Sequence, residues 1–237
     1  MHIPAHALAS AFCVVWTCVL YFALKPLYLR RPRVWLSPAI VVPALTIGLL
    51  LATGIPYTDY VADTRWMVWM LGPSTVAFAI PIYAHRAIVR RHWLALTLGV
   101  VVGMLVSLVS ARWLAGMFHF SPEVSSSLMA RSVSTPFAVA VATHTGGSAD
   151  LVSLFTVITG LVGMIAGDTV LGLMRLSPVA NGASLGASAH GFGTVRARQR
   201  GTEEGVVASL TMVLAGVLMV LAGPQVTHWL MAVWPLA

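Results

Sequence analysis

Long runs without a single Asp, Glu, Lys or Arg dominate this chain: residues 34–58, 66–84, 93–111, 151–167 and 206–237. Most reach or approach the roughly 20 residues that an α-helix needs to cross the hydrocarbon of a bilayer. Inside that hydrocarbon no water satisfies backbone N–H and C=O groups, so such runs have to be helical. With 58% hydrophobic and 9% charged residues, the 237-residue chain also has too little polar surface to cover a water-soluble globule. The expected fold is an all-α, multi-pass transmembrane helical bundle, one domain over residues 1–237, with no separate soluble domain.

The formal charge of +7 would raise nucleic-acid binding in a soluble protein. Here the cations cluster in short loops: Lys25, Arg30, Arg31 and Arg33, then Arg86, Arg90 and Arg91, then Arg196, Arg198 and Arg200. That distribution is the positive-inside rule, and no aromatic-interleaved basic motif points to nucleic acid. Cys13 and Cys18 lie five apart in the first apolar segment, on different helix faces, which argues against a disulfide or a metal site. Residues 7–24 have no basic segment before them and cations after them, so they are expected to be an ordinary first helix, not a signal peptide.

The coarse spans are 7–24, 35–52, 66–84, 93–117, a region at 122–145, then 151–174 and 206–223 with an apolar tail. Placing Arg86 to Arg91 inside makes three crossings before Arg196, which would put the last basic cluster outside, against the rule. Either the small-residue stretch 177–195, with Gly182, Gly186, Gly191 and Gly193, is an additional crossing, or 122–145 is a re-entrant hairpin turning at Ser134-Thr135. The additional crossing is the preferred reading, for about seven to eight spans in all. Both versions place irregular backbone at membrane depth, tolerated where it is buried in protein or lines a cavity.

Two segments share a local signal, Leu71-Gly-Pro-Ser-Thr-Val-Ala77 and Arg131-Ser-Val-Ser-Thr-Pro-Phe-Ala138. A hydroxyl residue beside a proline is a common helix start, because the hydroxyl caps free N–H groups and Pro fits the first turn. Inside a membrane such a start means a broken helix, and its repetition suggests the internal repeat of a transporter fold. Helix N-termini favour anions, so Ser74, Thr75, Ser134 and Thr135, with Arg131 one turn upstream, are the candidate anion-binding residues.

Asp168 is an acid inside a long apolar span, a candidate for carrying a proton or cation, with pairing to Arg175 at the interface as the structural alternative. His190 and Thr194 lie in Ala189-His-Gly-Phe-Gly-Thr194, where glycines permit unwinding and the imidazole could bind substrate. No nucleophile, acid/base and orienting group come together as a hydrolase requires, so an enzyme is not expected, nor a cofactor or metal.

These residues carry a resemblance. Thr53-Gly-Ile-Pro-Tyr-Thr-Asp-Tyr60, Leu71-Gly-Pro-Ser-Thr-Val-Ala77 through Pro81-Ile-Tyr83, Ser132-Val-Ser-Thr-Pro-Phe-Ala138, Gly146-Gly147, Thr159-Gly160 and Gly186 through His190-Gly-Phe-Gly-Thr194 to Arg196 occur in this order over residues 50–215. In this the chain resembles the LrgB/CidB family, which includes the LrgB-like half of the plastid glycolate/glycerate translocator. The resemblance implies a multi-pass inner-membrane protein acting with a small LrgA/CidA-like membrane partner. It implies one of two functions: transport of small monocarboxylates such as glycolate, glycerate or pyruvate, or holin/antiholin-like regulation of murein hydrolase activity and autolysis.

Transport is the leading expectation. Ser74, Thr75, Ser134 and Thr135 would receive the carboxylate, Arg131 would supply the field, His190 and Thr194 would complete the site, and Asp168 would couple an ion or proton. The expected partners are the carboxylate, the lipid bilayer, an LrgA/CidA-like protein and further copies of the chain.

Overall fold

A computed structural model describes residues 5–31 and 34–234. The chain divides into two compact units, Met1–Ser74 and Thr75–Ala237. The described residues are helical, with α1 at Ala5–Arg30, α2 at Pro38–Thr53, α3 at Tyr57–Trp69, α4 at Leu71–Ala77 and α5 at Ala79–Ala84. Then follow α6 at Arg86–Met117, α7 at Pro122–Ala130, α8 at Thr135–Thr145, α9 at Ala149–Met174, α10 at Pro178–Arg200 and α11 at Thr202–Val233.

In the first unit, α1 packs against α2 and α3. Pro38 at the first position starts α2, and Gly54, with φ 67°, closes it in the left-handed conformation that glycine adopts at no steric cost. Among the described residues, four stretches are long and apolar enough to cross a membrane: Ala11–Arg30, Arg86–Met117, Ala149–Met174 and Thr202–Val233, with Pro38–Thr53 apolar but shorter. Large apolar side chains such as Phe22, Val106, Leu173 and Leu221 stay more than half exposed. In water such a surface would drive association, whereas in lipid it is what the solvent requires.

The second unit is built on two hairpins. Arg112 of α6 donates to Ser125 at 3.2 Å and Ser107 bonds Ser132 at 2.5 Å, so α7 runs back down alongside α6. The chain then turns at residues 131–134. After α8 it returns beside α7, where the Ser148 N–H donates to the Ser127 hydroxyl at 2.9 Å. Residues 122–145 therefore re-enter and do not cross.

The second hairpin is α10. In its first half, Gly182 lies on Glu204 and Gly186 on Ala208, so it runs parallel to α11. In its second half, Arg198 lies on Gly205 and Thr194 on Met212, so it runs antiparallel. His190, at φ 51° and ψ −128°, makes the reversal. Glycine makes the closeness affordable: a Cβ on Gly193 would collide with the Leu185 carbonyl, and one on Gly186 with Ala208 and Thr211.

These findings correct the preferred reading of 177–195 as an additional crossing. The physical reason is that small residues at 182, 186, 193 and 205 let half-helices pack at backbone distance, which a lipid-facing span has no need of. With both segments re-entering, only α6 and α9 cross between Arg86 and Arg196. All the basic clusters of this unit then fall on one side, and the positive-inside rule holds. The hairpins enter from opposite sides, 122–145 from the C-terminal end of α6 and 178–200 from its N-terminal end.

The two segments of similar sequence differ in structure. Thr135 begins α8, with Ser134 as its N-cap. By contrast α4 begins at Leu71, so Ser74 and Thr75 sit inside a short helix and not at its start. Their side chains lie outside the described residues.

Candidate functional site

Both hairpin tips reach the middle of α9. From the first, Arg131 donates to the Thr159 hydroxyl at 2.9 Å. From the second, His190 lies close to the Ser132 backbone and the Arg131 charge. Gly160 and Gly163 accommodate that tip, since a Cβ at either would press on Phe192 or on the backbone of Ser188. The sequence motif Thr159-Gly160 thus serves both hairpins, with a hydroxyl for one and empty space for the other.

Polar groups at the tips are incompletely satisfied. His190 is 3% exposed, and neither ring nitrogen makes a hydrogen bond of acceptable geometry, although the Ser132 backbone is adjacent. The Ser134 hydroxyl is buried without a partner and does not cap α8, contrary to the expectation that it would close the free N–H groups. Among the described residues Arg131 forms no ion pair. A buried polar group without a partner costs on the order of 1–3 kcal/mol, more if charged. Ser134 and His190 place two such residues at the hairpin tips, and others lie elsewhere, such as Thr156, Asn181 and Thr227.

Two cavities flank these groups. One of about 240 Å³ is lined by Gly103, Met104, Ser107, Ser132, Thr159 and His190, among others. The other, about 400 Å³ and more open, has Leu128, Arg131, Phe155, Thr159, Val162 and Ser188 in its wall. Thr159 and Ser188 border both, so the Arg131–Thr159 bond stands between them.

Of the residues singled out from sequence, the structure brings together Arg131, Ser134, Thr135 and His190 at the tips. Thr194 sits one turn away and turns inward, donating to the His190 carbonyl at 2.9 Å and meeting the Met212 sulfur at 3.7 Å. It braces the strained turn and does not border either cavity. Asp168 lies elsewhere, at the base of the second hairpin, paired with Arg196 at 2.7 Å and Arg200 at 3.2 Å. Arg200 also pairs with Glu204 at 3.1 Å, and Asn181 donates to Glu204 at 3.2 Å, so the base is clamped across three helices. Pairing with Arg175, the structural alternative weighed for Asp168, does not occur.

Ser107, Ser132, Thr159 and Ser188 were not anticipated as site residues. Ser132 and Thr159 stood in the motifs, but nothing in their spacing showed that they converge. The returning half of α10 begins at Gly191, after the break at His190 that the Gly191 and Gly193 pattern did suggest.

Half-helices meeting tip to tip beside the middle of α9, with Arg131 in no ion pair among the described residues, are the arrangement of membrane proteins with discontinuous helices. Residues 17–229 match the LrgB-like family model, and the chain belongs to that family. It is 35% identical over 209 residues to the uncharacterized protein YwbG of Bacillus subtilis, covering 88% of this chain and 93% of that one. It is 30% identical over 225 residues to the uncharacterized protein YxaC of the same organism, covering 94% and 97%. No solved structure matches the chain.

Proposed function

We propose that the protein is a carrier for small monocarboxylates of the glycolate, glycerate or pyruvate type, working in the inner cell membrane. The observation that supports this most is Arg131, mostly withdrawn from solvent at a hairpin tip, with a neutral hydroxyl as its bonding partner and, among the described residues, no carboxylate paired with it. A cation in such a place favours a mobile anion. The starts of α8 at Thr135 and of the returning half of α10 at Gly191 add the positive ends of two helix dipoles, each worth about 0.3–1 kcal/mol to an anion and up to roughly 2 when partly buried. A charged hydrogen bond from Arg131 adds about 1.5–3 kcal/mol. Their sum corresponds to an affinity from tens of millimolar to about ten micromolar, which suits a protein that must release what it binds. His190, on the smaller cavity, holds unused side-chain hydrogen-bonding capacity for the same ligand.

The test is uptake of labelled glycolate and pyruvate into proteoliposomes holding the chain alone, with Arg131→Gln beside the wild type. Saturable uptake that the substitution reduces by at least tenfold is the expected result. Equal kinetics in both would reject Arg131 as the anion site. Uptake that appears after adding an LrgA/CidA-like protein would make that partner part of the carrier.

A further inference from the structure

We infer that His190 is a proton-binding site through which anion binding takes up a proton, so that carboxylate and proton travel together. This rests on the carrier reading above. His190 faces the smaller cavity, is almost wholly buried, and has the Ser132 backbone beside its ring but no side-chain hydrogen-bond partner among the described residues. Packing alone does not explain a histidine here. Its backbone sits at φ 51° and ψ −128°, a conformation that glycine adopts without strain, and Gly191 is the next residue. A side chain held at a cost of about 1–3 kcal/mol in such a conformation points to a use for that side chain.

The charged surroundings are simple. From the first hairpin the group facing His190 is Arg131. α6 contributes Met104 and Ser107, α9 contributes Thr159 and Gly160, and α11 contributes Ala215, none of which titrates. Thr194 and Met212 lie behind the turn. With the site empty, a protonated imidazole would face the Arg131 cation in a poorly solvated place with no acid to compensate. A carboxylate bound at Arg131 reverses that field and favours the protonated ring. By linkage the proton must then strengthen anion binding by the same factor. One negative charge and one proton move as a neutral pair, and the proton leaves again when the anion does. Asp168 is not placed for this role, because it pairs with Arg196 and Arg200 at the far end of the hairpin.

The experiment is a proton count on binding. Full-length protein in detergent, in weakly buffered neutral solution with an indicator dye, is titrated with glycolate, which is fully ionised there, while binding is followed in parallel. The expected result is uptake approaching about one proton per anion bound, retained in Asp168→Asn and lost in His190→Gln, measured at glycolate concentrations raised until each variant saturates. His190→Asn is the second variant, since asparagine tolerates positive φ better, and each is first checked for monodisperse elution. Saturable binding without proton uptake would overturn the inference and leave the carrier reading standing. Uptake undiminished in both His190 variants, or abolished in Asp168→Asn, would also overturn it. Folded wild type that binds no glycolate at any concentration would remove both.

Discussion

Arg131 and Thr159 are joined by a 2.9 Å hydrogen bond that links the tip of one re-entrant hairpin to the centre of the helix dividing the two hairpins. The threonine is the hydroxyl that holds the guanidinium between the two cavities, and among the described residues no carboxylate shares the task. Removing it should therefore disturb aim and not fold. Thr159→Val, which keeps the shape, is expected to raise KM for glycolate about tenfold, the loss of roughly 1.4 kcal/mol from a hydrogen bond to a charged group. Thr159→Ser should restore most of the affinity. Uptake kinetics in proteoliposomes read both variants.

The two hairpins make a topological prediction. Single cysteines introduced in a background lacking Cys13 and Cys18 would be labelled with a membrane-impermeant maleimide in oriented vesicles. Ser177→Cys and Thr202→Cys, at the two ends of α10, should react from the same side. His119→Cys and Ser148→Cys, at the two ends of the other hairpin, should react from the opposite side. Opposite labelling of positions 177 and 202 would mean that α10 crosses, against the packing of its halves on α11.

The membrane class and the broken helices were legible in the sequence, because charge-free length, a Ser-Thr-Pro start and glycines around a histidine are local signals. The route of the chain was not. Whether 178–200 crosses depends on Gly182, Gly186 and Gly193 meeting Glu204, Ala208 and Leu185, contacts set by tertiary packing and invisible to hydropathy. Hydropathy saw small residues and no charge, which a crossing and a hairpin share. Likewise Asp168 reads as an isolated intramembrane acid until the hairpin brings Arg196 and Arg200 back to it. The resemblance between the Ser74 and Thr135 segments was a true sequence likeness that the flanking residues resolve into different helix registers.

Glycine substitutions should separate sharply by position. Gly193→Ala places a methyl group against the Leu185 carbonyl and the Ala189 side chain, backbone and near-backbone atoms that cannot step aside. The cost is expected to be on the order of 3 kcal/mol or more, the upper range for overpacking. Gly191→Ala, two residues earlier, meets nothing within 4 Å and should stay within about 0.5 kcal/mol. Thermal unfolding in detergent compares them directly, and equal midpoints would contradict the hairpin's close packing.

Asp168→Asn tests the clamp at the base of the second hairpin. The substitution removes the charge that Arg196 and Arg200 share, leaving two partly buried guanidinium groups with Glu204 as the remaining acid of the cluster. Breaking a fully buried pair costs about 3–5 kcal/mol. Asp168 is 18% exposed at its side chain, so solvent screening reduces the expected loss to about 1–3 kcal/mol. The predicted outcome is a lower unfolding midpoint and faster proteolysis near 178–200, with the KM for glycolate changed less than twofold, because the clamp lies at the opposite end of the hairpin from Arg131. A KM shift as large as that of Thr159→Val, at unchanged stability, would instead make Asp168 part of the transport site. Raising salt should bring wild-type stability towards that of the variant if the clamp is the solvent-screened ion pair its exposure indicates.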